Sequence, residues 1–141
     1  MKYWDASAII PLVISESESP LVRSWAGRDP AIVTWAWTPV ELVSAVERRA
    51  REGAITPEMR REALKRFSQL ADAWDEVADL LPVRRKAIQL LARHPLRAAD
   101  SAQLAAALVA AESDPAAMVF VCLDKRLAEA AEREGFQILS A

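Results

Sequence analysis

Cys122 is the only cysteine in 141 residues, so no intramolecular disulfide can form and nothing points to an oxidising compartment. His94 is equally alone, which excludes a histidine-built metal centre, and no Cys/His ligand spacing occurs. The formal net charge of −2 gives no general basic character; a nucleic-acid partner would have to be held by a local patch or by metal ions. The apolar runs Ala8 to Ile14 and Leu104 to Ala111 both fall well short of the ~20 residues that a membrane span requires. Asp5 arrives too early for a secretory signal, and the expected location is the cytoplasm. Glycine-rich phosphate loops, Gly-x-Ser-x-Gly elbows, internal repeats and low-complexity tracts are all missing.

What remains is a chain with 52% hydrophobic and 27% charged residues, a globular balance at a length suited to one domain spanning 1–141. Lys2-Tyr3-Trp4 reads as a strand that ends in Asp5, and Ala6 to Val13 as a short helix. A polar break leads to a second helix near Pro20, closed by Gly27 to Pro30. Ile32 to Trp35 is β-branched and aromatic, hence a strand. Thr38-Pro39-Val40-Glu41 opens a helix that runs to Gly53, with Thr38 expected at the N-cap. Thr56-Pro57 opens an amphipathic helix over 57–72, and the short link predicts an antiparallel hairpin.

Residues 48 to 66 hold seven basic side chains (Arg48, Arg49, Arg51, Arg60, Arg61, Lys65, Arg66) against three acids. Such a face is either solvated or a flank for an extended polyanion. Val77 and Leu80-Leu81 suggest a short strand, and Pro82 a helix that ends near His94, whose polar ring suits a helix C-terminus. An alanine-rich helix begins at Asp100 and reaches Glu112. Met118 to Cys122 is an unbroken apolar run, the pattern of a buried strand. Asp124 starts a helix that Gly135 stops, and Gln137 to Leu139 is a last strand. The alternation predicts an α/β fold, a three-layer α/β/α sandwich with a mostly parallel central sheet.

Four acids stand at element junctions: Asp5 and Asp124 after strands, Glu41 and Asp100 in the first turns of helices. Each has an ordinary structural explanation. Asp124 or Asp100 can cap a helix and Glu41 can complete a capping box with Thr38, each worth about 1 kcal/mol. Asp5 has the weakest such explanation, since the helix behind it is short. Strand ends and the starts of the following helices share one rim of a parallel sheet, however, and four carboxylates gathered there would repel one another unless a cation held them. Mg2+ or Mn2+ is the matching cation, a hard ion that takes oxygen ligands. With such an ion, carboxylates at that rim suit phosphodiester hydrolysis.

Asp5-Ala6-Ser7, Glu41 within Pro39-Val40-Glu41-Leu42, Ala98-Ala99-Asp100-Ser101-Ala102 and Asp124-Lys125-Arg126-Leu127 closely resemble the four acidic motifs of PIN-domain ribonucleases. The chain length resembles the VapC-type toxins of toxin–antitoxin pairs. The resemblance implies that Asp5, Glu41, Asp100 and Asp124 hold a catalytic Mg2+ or Mn2+, with Ser7 as a neighbouring polar group. Lys125 and Arg126, beside the last acid, are then candidate substrate contacts. It implies an endoribonuclease acting on single-stranded RNA, a homodimer or a larger toxin–antitoxin assembly, and neutralisation by a small antitoxin whose C-terminal segment enters the acidic cleft. One departure is Cys122, where the family often has Thr or Ser; a thiol donates more weakly, so the anchoring of Asp124 is expected to be looser. The tryptophans Trp4, Trp25, Trp35, Trp37 and Trp74 lie outside the family pattern and read as core or interface, or as base-stacking surfaces.

The alternatives are a PIN-like module that binds RNA or protein without turnover and a metal-dependent phosphatase. A phosphatase of the haloacid-dehalogenase kind needs a second acid where Ser7 stands. A receiver domain needs a phosphoacceptor aspartate after a central strand, where residues 50 to 60 offer a helical hairpin.

Overall fold

Successive residues of the first strand face opposite ways, and this divides the hydrophobic core in two. In the computed structural model, which describes residues 1–112 and 114–141, strand β1 (Lys2–Trp4) buries Tyr3 on one side of the sheet and Trp4 on the other. Four further strands join it: β2 (Ile32–Trp35), β3 (Asp75–Val77), β4 (Val119–Val121) and β5 (Gln137–Leu139). Every pairing is parallel, in the order β3-β2-β1-β4-β5, with Lys2 opposite both Ile32 and Val119.

Helices cover both faces, as parallel sheets require. Trp4, Ile32 and Val121 pack against α1 (Ala6–Val13), α2 (Ser19–Arg28) and α3 (Thr38–Arg51), through Ile9, Val22, Trp25 and Leu42. Trp74, at the end of α4 (Pro57–Ala73), closes this layer. On the other face Tyr3, Val33, Trp35 and Phe120 meet α5 (Leu80–Arg93), α6 (Ala98–Ala110) and α7 (Lys125–Arg133). Tyr3 stacks on Phe120, ring centroids 5.4 Å apart. Four of the five tryptophans are thus core residues, and Trp37 alone is exposed, at 60%. Among the described residues no helix is long and apolar enough to cross a membrane.

Local chemistry explains most boundaries. Thr56 caps α4 by accepting from the Met59 N–H at 3.1 Å. Gly53 ends α3 in the left-handed region (φ 72°), and the Ala54 N–H reaches back to the Arg49 carbonyl. Three expectations need correcting. Leu80-Leu81 belong to the first turn of α5 and not to a strand, with Pro82 tolerated there because early helical N–H groups lack partners anyway. Thr38 lies inside α3, and Trp37 precedes it without a side-chain cap. The Thr38 hydroxyl turns inward instead, 2.7 Å from Thr34 Oγ1. Glu41 therefore completes no capping box. α6 also begins at Ala98, two residues before Asp100.

Candidate active site

β1 ends directly at Asp5, whose carboxylate caps α1: Oδ2 accepts from the Ser7 N–H at 3.1 Å and the Ser7 hydroxyl at 2.5 Å. Asp5 does have a capping role after all, which the weak sequence signal of α1 concealed. Ser7 Oγ in turn accepts from the Leu123 N–H at 2.9 Å, tying the start of α1 to the loop after β4. The Cys122 thiol lies 3.6 Å from the same Oδ2 and 3.3 Å from the Asp124 backbone carbonyl. The thiol thus supports the Asp5 carboxylate. The Asp124 side chain is anchored elsewhere, capping α7 through the Leu127 N–H at 2.9 Å, so the substitution at Cys122 bears on Asp5 and not on the Asp124 carboxylate.

Asp5, Glu41, Asp100 and Asp124 all line one cavity of about 410 Å³, together with Ser7, Ser44 and Arg48. A larger recess of about 620 Å³ lies on the other side of Asp124, against α7 and the C-terminal residues. It holds Lys125 but none of the other three acids, so size and chemistry point to different places, and the chemistry decides for the smaller cavity. Arg126 is exposed and lines neither. His94 is buried elsewhere, its Nε2 2.6 Å from Glu134 Oε2 at the end of α7.

The electrostatics of this cavity are those of uncompensated acids. Burial pushes Asp5 up to about 6 against the hydrogen bonds from Ser7, and the charge of Asp100 adds to the rise. Burial also pushes Glu41 up to about 7; Gln103 pulls it down, while Asp5 and Asp100 add to the shift. Asp100 is raised by burial and then by Asp124, with Arg97 opposing. Among the described residues none of the four acids forms a salt bridge. Nor are three acids, histidines or cysteines drawn tightly enough together to chelate an ion unaided. An all-oxygen donor set spread around a cavity fits Mg2+ or Mn2+, which keep several of their own waters, and not an ion caged wholly by protein.

Behind the acids runs a buried polar chain that the sequence reading missed. The Tyr3 hydroxyl donates to Gln103 Oε1 at 2.6 Å, and Gln103 Nε2 donates to Thr38 Oγ1 at 3.0 Å and Glu41 Oε1 at 3.2 Å. Thr34 Oγ1, beside Thr38, donates to the Trp4 carbonyl at 2.8 Å. Gln103 is fully buried and fixes the angle at which Glu41 enters the cavity. The available signal was position: Gln103 stands three residues after Asp100, on the same face of an otherwise alanine-rich helix. Tyr3→Phe should leave Gln103 Oε1 without its donor and cost about 1–2 kcal/mol, lowering the melting temperature by roughly 5 °C. A double variant with Gln103→Leu should lose less than the sum of the two single losses; strict additivity would show that the chain does not act as a unit.

No protein-family model matches the chain. Ribonuclease VapC45 and Ribonuclease VapC49, from two strains of Mycobacterium tuberculosis, are each 32% identical to it over 140 residues, covering 99% of this chain and 94% of theirs. Among solved structures, the crystal structure of PAE2754 from Pyrobaculum aerophilum shares the fold, with a TM-score of 0.67 at 19% identity over 98% of this chain and 89% of that one. With that identity along practically the whole of both sequences, on a parallel sheet whose rim presents four acids, the chain belongs to the VapC family of PIN-domain ribonucleases.

Proposed function

We propose that this chain is a divalent-metal-dependent endoribonuclease and the toxin of a toxin–antitoxin pair, held inactive by a cognate antitoxin. The observation that carries the reading is the meeting of Asp5, Glu41, Asp100 and Asp124, from four separate elements, in one cavity, none of them held in a salt bridge among the described residues. The ribonuclease relatives supply the substrate class.

Asp5, Glu41, Asp100 and Asp124 would hold Mg2+ or Mn2+. When bound, the ion supplies charge neutralisation at a phosphodiester and a water acidic enough to attack it near neutral pH. The protein's own contribution is orientation. Hydrogen bonds from Ser7 and Cys122 all end on Asp5 Oδ2, which sets the carboxylate plane and leaves Oδ1 for the cavity. Gln103 does the same for Glu41, occupying Oε1. Asp100 and Asp124 sit at the starts of α6 and α7, nearer to solvent, where an incoming strand meets them. The exposed apolar residues Leu81, Ile88 and Leu91 fall at helical spacing on α5 and offer a surface for a second copy, in keeping with a homodimer.

The test is incubation of the purified protein, free of antitoxin, with total cellular RNA with and without Mn2+. Mn2+-dependent fragments are expected, and their disappearance on adding the antitoxin. RNA left intact by protein that binds Mn2+ would favour the non-catalytic module.

A further inference from the structure

Glu41, Ser44 and Arg48 follow one another on a single stripe of α3, three and then four residues apart, and all three line the acidic cavity. Arg48 is the one basic residue of that lining. A guanidinium sharing a cavity with four carboxylates would ordinarily pair with one of them. Among the described residues Arg48 makes no salt bridge and no side-chain hydrogen bond. Its neighbours on the α3–α4 pair behave otherwise: Arg49 binds Glu16 at 2.6 Å, Arg60 grips Glu47 through two bonds of 2.5 and 3.1 Å, and Arg61 and Arg66 pair along α4 with Glu58 and Glu62. Four of the seven basic side chains of this face are thus paired; of the three that form no salt bridge among the described residues, Arg48, Arg51 and Lys65, Arg48 alone lines the cavity.

Resting on the reading of this cavity as an RNA-cleaving centre, we propose that Arg48 is a substrate-binding residue that holds an RNA phosphate next to the one being cut. Seven residues along a helix separate its backbone from that of Glu41 by about 10 Å, so it stands at the cavity margin and not among the oxygen donors. A planar guanidinium there offers paired N–H donors to two phosphate oxygens. The phosphate at the acids needs a cation, whereas a flanking one needs only this contact, so Arg48 sets the path of the strand and with it the affinity for substrate. Its loss should act on binding and leave the chemical step alone.

The test uses full-length protein and a short single-stranded RNA that the parent cleaves. Arg48→Ala should raise KM roughly tenfold with kcat within twofold. Binding is measured separately by fluorescence anisotropy in the Asp100→Asn background with Mn2+ at several salt concentrations. There Arg48→Ala should weaken binding by a similar factor and make the slope of log K against log salt shallower by about 0.7, the value for one phosphate contact on a single strand. Arg61→Ala, on the same hairpin but paired with Glu58, controls for net charge and should change neither quantity. A fall in kcat at constant KM, or equal effects from Arg48→Ala and Arg61→Ala, would overturn the proposal. If the parent cuts no RNA but RNA binding still depends on Arg48, the cleavage reading fails and the binding site stands; cleavage with Arg48-independent binding is the converse.

Discussion

Asp100→Asn protein should cut no RNA in Mn2+ and yet melt no earlier than the parent when divalent ions are withheld. The same holds, more sharply, for Asp5→Asn. Its carboxylate is almost fully buried and raised to about 6, so at pH 8 the folded state carries a charge that the unfolded state solvates better. Asparagine removes that charge and keeps an oxygen able to accept from the Ser7 N–H, since Asn caps helices about as well as Asp. A gain on the order of 1–2 kcal/mol is expected, a few degrees in melting temperature, against a loss of activity of a thousandfold or more for a group with the role proposed for Asp5. Thermal melts in chelator beside RNA cleavage assays give both readings. A variant that loses activity and several degrees together would mean that the carboxylates serve mainly as helix caps.

Without divalent ions the parent should lose stability as the pH rises from about 5 to about 8. Asp5 and Glu41 are raised in the folded state, from 3.8 to about 6 and from 4.5 to about 7, and Asp100 moves the same way. Between the unfolded and folded values the native state binds more protons, so the unfolding free energy falls with pH through that window. The stabilisation is complete below about pH 4 and gone once the pH has passed the folded values. For the coupled set the loss is about 3 kcal/mol. Asp29 is lowered by the Ala31 N–H and then by Lys2, and Glu47 by Arg60; both act oppositely, but their window lies at more acid pH. If the four acids hold Mn2+ as proposed, the ion should reverse the trend, because it would bind their ionised form and ligand binding adds to stability. A metal-free melting temperature that rises steadily from pH 5 to pH 8 would contradict the charge crowding; a flat profile in Asp5→Asn/Glu41→Gln would support it.

Much of this arrangement was legible in the sequence because it follows from local signals. β-branched and aromatic runs marked the strands, Thr56-Pro57 and Gly53 marked helix ends, and a parallel sheet places the ends of strands and the starts of helices on one rim. What escaped was long-range. Thr38 carries every local mark of an N-cap, yet its hydroxyl is taken by Thr34 and by Gln103, the latter 65 positions away. Gln103 stands among alanines with no local signal of its role, and only the fold brings Tyr3 to it. Arg48 was one of seven basic residues, and only its place in the acidic cavity, with Arg49, Arg60, Arg61 and Arg66 paired elsewhere, set it apart.

The central place of β1 also dictates when the centre can come into being. Its second partner, β4, arrives late in the chain: 117 positions separate Asp5 from Cys122, and Ser7 waits for the Leu123 N–H. Closing so long a loop onto a parallel strand is slow, since the entropy cost is met before the contacts form. A ribosome-bound chain that has not reached Val119 has Tyr3 and Trp4 on an open edge, lacks Asp124, and has nothing to hold Asp5 against β4. Synthesis therefore completes the fold and the acidic centre in nearly the same moment.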